Sequence, residues 1–258
     1  PQTGNFEPTG SLSAPHCYHS ATILPDGRVL IAGGQNNIGP QTHSICEIYD
    51  PLTEMFTLTD TLRNHRSSHK SVLLYSGKVL ITGGTQTTTP GSGIYLNSCE
   101  LFDPVRGTFS NIQNLNKPRV GHEITFLDDG RVLISGGAYY ESAGEIFDPG
   151  TETWTLTNPM TVIRRSSHTA TKIFNGKVLI AGGNISYTTV RTELYDPSTN
   201  SFTEIDSMIT PRQQHTATLL QDGSVFVTGG YTTSGVTRHT ERYIIDTSAV
   251  SVRENNNG

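Results

Sequence analysis

The stretch His19–Gly34, HSATILPDGRVLIAGG, recurs as His69–Gly84, His122–Gly137, His168–Gly183 and His215–Gly230. In each copy the first glycine of a Gly-Gly doublet stands fourteen residues after the histidine. A repeat of roughly fifty residues decides the architecture before any local signal does. Residues shared by all copies are expected to build the fold, so functional residues are sought where the copies differ.

The copies parse alike. A β-prone run follows the histidine: Ser20–Leu24, Lys70–Tyr75, Glu123–Leu127, Thr169–Phe174 and Thr216–Leu220. Asp26-Gly27, Ser76-Gly77, Asp129-Gly130, Asn175-Gly176 and Asp222-Gly223 then predict two-residue type I′ hairpins, with positive φ at both central positions. The next run is apolar throughout: Val29–Ala32, Val79–Thr82, Val132–Ser135, Val178–Ala181 and Val225–Thr228. Such a run, ended by Gly-Gly, reads as a strand buried on both faces. A variable loop leads to a third strand, Glu-x-aromatic-Asp-Pro, at Glu47–Pro51, Glu100–Pro104, Glu145–Pro149 and Glu193–Pro197. The fifth copy, Glu241–Asp246, is altered. Five residues after each proline an aromatic marks a fourth strand: Phe56, Phe109, Trp154 and Phe202.

Composition narrows the function. Of 258 residues 16% are charged and the formal net charge is -5, too small and of the wrong sign for nucleic-acid binding. No apolar run approaches the ~20 residues of a membrane helix, so no membrane insertion is expected. Three cysteines do not make a disulfide framework. No signal-peptide pattern opens the sequence, and the missing initiator methionine suggests a mature form or an excised piece. Abundant glycine and threonine, short apolar runs and no sustained helical period predict an all-β chain.

The histidine-led strand, the Gly-Gly doublet, Glu-x-Tyr-Asp-Pro and the spaced Phe or Trp together resemble kelch repeats, as in bacterial kelch proteins and galactose-oxidase-like propellers. The resemblance covers nearly the whole chain. It implies a five-bladed kelch-type β-propeller of four-stranded blades, strands a to d, at about 16–58, 66–111, 119–156, 165–204 and 212–246. That is fewer blades than the six or seven usual for kelch. Phe6 precedes His19 by thirteen residues, the interval from Phe56, Phe109 and Phe202 to the next histidine. Residues 4–8 are therefore expected to supply strand d of the fifth blade and close the ring. Val250–Arg253 is the alternative, and would make the chain a window on a longer array.

Antiparallel connectivity puts the a–b and c–d turns on one face and the b–c loops and d–a links on the other. From the second glycine of the doublet to the glutamate is 13, 16, 8, 10 and 11 residues, so the second face holds the variation. Binding residues concentrate on such loops. Arg66, Arg119, Arg165 and Arg212 stand three residues before a repeat histidine, with His16 in the first copy. Kelch adaptors of ubiquitin ligases present arginines from similar positions to acidic peptides. These arginines either ring the channel mouth as an anion or sugar-acid site or pair with Glu47, Glu100, Glu145, Glu193 and Glu241. Tyr139, Tyr140, Tyr187 and Tyr231 on the loops could stack on sugars or anchor a protein partner, or else cover blade edges.

The repeat histidines read as structural, since a ring would spread them too widely for one metal ion. His16-Cys17-Tyr18-His19 holds metal-capable groups, but extended neighbours point to opposite sides. Cys46 and Cys99 fill a small-residue slot that is Gly144, Thr192 or Thr240 elsewhere. Nothing matches the copper arrangement of galactose-oxidase-like enzymes, a sialidase Asp-box or an EF-hand loop. Asn184-Ile185-Ser186 is a glycosylation sequon. The expected function is a non-catalytic recognition module, without cofactor or metal, binding a protein segment or glycan on the loop face. A kelch-type oxidase or sugar epimerase, or a spacer in a larger surface protein, are the alternatives. An extracellular or cell-surface place and a monomeric domain, alone or within a larger chain, are expected.

Overall fold

The structure, a computed structural model, describes residues 4, 6–36, 41–89, 92–137, 142–162, 165–184 and 187–244. Among them there is no helix, hence none long and apolar enough to cross a membrane. Four antiparallel sheets of four strands follow one another along the chain. The first is β1 (Ser20–Ile23), β2 (Val29–Ala32), β3 (Cys46–Asp50) and β4 (Met55–Leu58). The second is β5 (Lys70–Leu73), β6 (Val79–Thr82), β9 (Cys99–Asp103) and β10 (Thr108–Asn111), with a ribbon β7 (Thr85–Gln86) and β8 (Ile94–Tyr95) in its long loop. The third is β11 (Glu123–Phe126), β12 (Val132–Ser135), β13 (Ala143–Asp148) and β14 (Thr153–Pro159). The fourth is β15 (Thr169–Lys172), β16 (Val178–Ala181), β17 (Thr192–Asp196) and β18 (Ser201–Ile205). The fifth has three strands, β19 (Thr216–Leu219), β20 (Val225–Thr228) and β23 (Thr240–Tyr243), plus a ribbon β21 (Tyr231–Thr232) and β22 (Gly235–Val236). This all-β array of four-stranded sheets is compatible with a β-propeller.

The inner hairpins correct the turn expectation. Only the glycine has positive φ, from 77° to 89°, at Gly27, Gly77, Gly130, Gly176 and Gly223. Gly27 N donates to Leu24 O at 3.0 Å and Leu24 N to Arg28 O at 2.7 Å, and the other four copies repeat both bonds. That is a three-residue loop, a type I turn followed by a left-handed glycine, rather than type I′. The residue before the glycine stays right-handed, so Asp, Ser and Asn serve equally there. At the other hairpin, the carboxylate of Asp50 accepts Leu52 N at 2.8 Å, and Asp103, Asp148 and Asp196 do the same for their second neighbour.

The apolar second strands are buried because the cores lie between sheets. One cluster joins Leu30, Ala32 and Ile48 of the first sheet to Val79, Ile81 and Phe102 of the second. The next joins Leu80 and Leu101 to Val132, Ile134 and Phe147. The third joins Leu133 and Ile146 to Val178, Ile180 and Tyr195, and the last joins Leu179 to Val225 and Val227. Successive residues of β6 thus serve two cores, which alternation along a strand requires. Leu62, Leu115 and Met160, from the links between sheets, are buried in these clusters.

The expected closure by residues 4–8 is not seen among the described residues. Of that segment Gly4 and Phe6–Pro8 are described; they lie in no strand, and Phe6 is fully exposed. Residues 9–13 instead follow the first sheet: Gly10 N donates to Glu54 O at 2.9 Å and Thr9 Oγ1 lies 2.8 Å from Tyr49 Oη. Inner strands pack in sequence, β1 with β5, β5 with β11, β11 with β15 and β15 with β19. No comparable contact joins β19 to β1 among the described residues. Val250–Arg253 lies outside the described residues.

Candidate functional site

The links between sheets place an arginine under each variable loop. Its local geometry settles which of its two expected roles is physical. Arg66, Arg119, Arg165 and Arg212 are completely buried. Each guanidinium meets the glutamate of its own sheet: Glu100 at 2.8 Å, Glu145 at 2.9 Å, Glu193 at 3.0 Å and Glu241 at 2.7 Å. Further N–H groups are spent on carbonyls, while Nε of Arg66 and of Arg165 is buried without a partner among the described residues. Arg119 Nη1 donates to Gly136 O at 2.7 Å and Nη2 to Ala143 O at 2.8 Å. The glutamates also accept N–H groups of the incoming link, Arg63 N on Glu100 at 2.8 Å and Asn116 N on Glu145 at 2.8 Å. Burial brings Arg165 down to about 10, and the Glu193 charge opposes that; it remains a cation at neutral pH. No guanidinium surface is left for a ligand, so the arginines drop out of the candidate site.

The histidines join neighbouring sheets. His69 Nε2 lies 2.9 Å from Ser20 Oγ, His122 Nε2 3.0 Å from Thr82 Oγ1, His168 Nε2 2.8 Å from Ser135 Oγ and His215 Nε2 3.0 Å from Thr169 Oγ1. The hydroxyl alternates between two strands. Where the second strand ends in Ala32 or Ala181, the first strand supplies Ser20 or Thr169. Where the first strand carries Lys70 or Glu123, the second supplies Thr82 or Ser135. Lys70 and Glu123 are then free to pair with each other at 2.9 Å across two sheets. Burial raises the Glu123 carboxyl, and Lys70 opposes the rise.

Burial, reinforced by the neighbouring arginine, lowers His69 to about 3 and His215 to about 4, and His122 and His168 well below the ordinary value. An unfolded histidine titrates near ~6.5, so between there and pH ~4 the unfolded chain binds more protons and stability rises with pH. Stability should therefore be full above pH ~7 and fall as pH drops through ~6.5, by up to ~1.4 kcal/mol per pH unit per ring. Calorimetric melting between pH 8 and 4.5 checks this, and a melting temperature unchanged over that range would refute it.

The first sheet departs from this pattern. His16 occupies the arginine position, its side chain fully buried, 3.5 Å from Glu47 Oε1. Its Nδ1 lies 2.7 Å from Gly33 O, and its ring stacks on His43 with centroids 5.2 Å apart. Ser13 N and Oγ bond the same glutamate at 3.1 and 3.0 Å. His16 thus stands in for the arginine and is no more available to a ligand. Cys46 and Cys99 are buried in the small-residue slot, and burial pushes both thiols up to about 12, so neither is a nucleophile or a ready metal ligand. No group of three or more metal-ligating side chains occurs among the described residues.

What remains exposed is the rim at the loop end of the inner hairpins. The residue before each histidine is left-handed: Tyr18, Ser68, Ser167 and Gln214 at φ 51° to 56°, and Gly121 at 66°. This conformation is uncommon for a side-chain-bearing residue and turns the link into the inner strand. It also aligns neighbours: Ser68 N donates to Tyr18 O at 2.9 Å, Ser167 N to Gly121 O at 2.8 Å and Gln214 N to Ser167 O at 2.9 Å. One residue earlier, Cys17, Ser67, Ser166 and Gln213 bridge the residue after the Gly-Gly doublet, namely Gln35, Thr85, Asn184 and Tyr231. The described residues at these three positions are uncharged. Sequence reasoning singled out Tyr231 but passed over this hydroxyl and amide edge. Its signal was present: positions flanking an invariant histidine yet differing in most copies.

Tyr187 and Tyr231 are exposed beside this edge, as are Tyr18 and Tyr95. Tyr139 and Tyr140, and the second and third residues of the sequon at Asn184, lie outside the described residues. Two clefts open among the loops. One, of about 370 Å³, is lined by Asn36, Thr42, His43, His65 and Thr87. The other, of about 670 Å³, is lined by Pro211, Thr232, Val236, Arg238 and His239. A third, of about 490 Å³, lies on the opposite face between Asp128, Arg131, Lys177 and Asp196. No protein-family model matches the chain, and no curated protein matches it in sequence.

Proposed function

We propose that the chain is a five-bladed kelch-type propeller module that acts without catalysis. It recognises a neutral, hydroxyl-rich ligand, a glycan, across the loop-side edge of its inner hairpins. The observation that carries this reading is the burial of all four arginines against their glutamates. With the cations withdrawn, the edge offers hydroxyls and amides, which both donate and accept, and exposed tyrosine rings. Such groups suit a sugar, whose hydroxyls need paired donors and acceptors and whose C–H face packs on an aromatic ring. They suit an acidic peptide poorly, because that needs fixed positive charge. An extracellular or cell-surface location follows from such a ligand.

A glycan array followed by titration calorimetry tests the reading. Binding to at least one neutral glycan is expected. Tyr231→Ala and Gln214→Ala should each weaken it ~10-fold or more, with the melting temperature unchanged. Selective binding of acidic peptides, or binding indifferent to both substitutions, would count against it.

A further inference from the structure

Four times in this molecule one sheet plugs into the one before it, and the parts are the same each time. The socket is the Gly-Gly doublet. Gly34 N donates to Arg66 O at 2.7 Å, Gly84 N to Arg119 O at 2.8 Å, Gly137 N to Arg165 O at 2.7 Å and Gly183 N to Arg212 O at 2.8 Å. The preceding glycine receives the histidine ring edge. A Cβ placed there would lie 2.7 to 3.0 Å from Cε1 of His69, His122, His168 or His215. The plug is therefore an apolar link residue, a backbone carbonyl and an imidazole.

Both halves recur at the two ends of the array, unmated among the described residues. The fifth sheet carries Gly229 and Gly230 in the same left-handed conformation, φ 68° and 93°, and hydroxyls at Thr216 and Thr228. No described residue lies within 4 Å of a Cβ built on Gly229. The first sheet carries Leu12, His16 and His19 at the spacing of Leu62, Arg66 and His69. Leu12 is only half-buried and His19 is exposed, whereas Leu62 and His69 are buried. Among the described residues the fifth sheet has no outer strand, and Phe6, in phase with the outer-strand aromatics, is fully exposed. Among the described residues each end holds what the other is missing, and no contact like those between successive inner strands joins them within one chain.

We infer that these ends join between two copies of this chain. The N-terminal segment of one copy pairs along β23 of the next, and its Leu12, His16 carbonyl and His19 ring fill the socket at Gly229 and Gly230. Such a contact is head-to-tail, so it generates dimers and longer chains of copies unless a rotation happens to close them. It is the internal sheet-to-sheet contact repeated between molecules.

The test uses the whole chain and sedimentation velocity with light scattering. The wild type should gain mass with concentration. Gly229→Ala should raise the dissociation constant about tenfold or more, because its methyl meets the incoming carbonyl. Phe6→Asp should do the same from the opposite end. Each variant keeps one good end, so an equimolar mixture of the two should form a one-to-one dimer that neither forms alone. That complementation cannot arise from misfolding. A wild type that stays monomeric at every concentration overturns the inference, whether its ends stay open or meet within one chain. So does a mixture that fails to dimerise.

Discussion

Arg119→Ala should destabilise the protein by about 3–5 kcal/mol, read from urea denaturation. The guanidinium and Glu145 are both fully buried, so truncation strands a carboxylate with only the Asn116 groups to satisfy it. It also removes the donors that Arg119 gives to Gly136 O and Ala143 O. The loss comes from what is left unpaired rather than from the strength of the bridge, because two desolvated charges repay little over water. Replacing both partners, Arg119→Met with Glu145→Leu, should then recover a large part of the loss. A double variant no more stable than the single one would show that the carbonyl bonds dominate instead.

The second large effect is steric. Gly136→Ala should cost about 3 kcal/mol or more, combining the left-handed conformation with overpacking. The new methyl would overlap Arg165 O and sit 2.7 Å from His168 Cε1, and backbone cannot yield as a flexible side chain can. Gly229→Ala, at almost the same φ but with open space around it, should cost only the conformational ~1 kcal/mol. Thermal melts of the dilute monomer make the comparison. Equal losses at the two glycines would mean that the doublet is conserved between copies for its conformation alone.

These pairs show where the sequence was readable. The second strands, Val29–Ala32 through Val225–Thr228, match the observed strands to the residue, because burial between two cores demands an unbroken apolar run and the doublet ends it. Both roles of the arginines were visible, but choosing between them needed burial, which no spacing encodes. The hydroxyl exchange between Ser20 and Thr82 was also written in the sequence, as alanine opposite serine and lysine opposite threonine. It becomes meaningful only once the next histidine is seen to need one hydroxyl. The closing strand is harder to read, because phase does not report curvature. Phe6 has the right interval to its histidine, but whether five sheets turn through a full circle depends on the wedge angle of each core. The I′ turn failed for a smaller reason: Asp-Gly fits a loop one residue longer equally well.

The placement of every core between two sheets has a further consequence for how the fold comes apart. Among the described residues cohesion is carried by four nearest-neighbour couplings, with no apolar cluster common to the five sheets. Such a system behaves like a one-dimensional chain of coupled units, whose interior members are held from two sides and whose terminal members from one. Among the described residues the fifth sheet has the smallest cluster of fully buried side chains and one strand fewer, so it is where the array is expected to open first. Amide exchange should therefore run as a gradient along the sequence, slowest in the Val79–Thr82 and Val132–Ser135 strands.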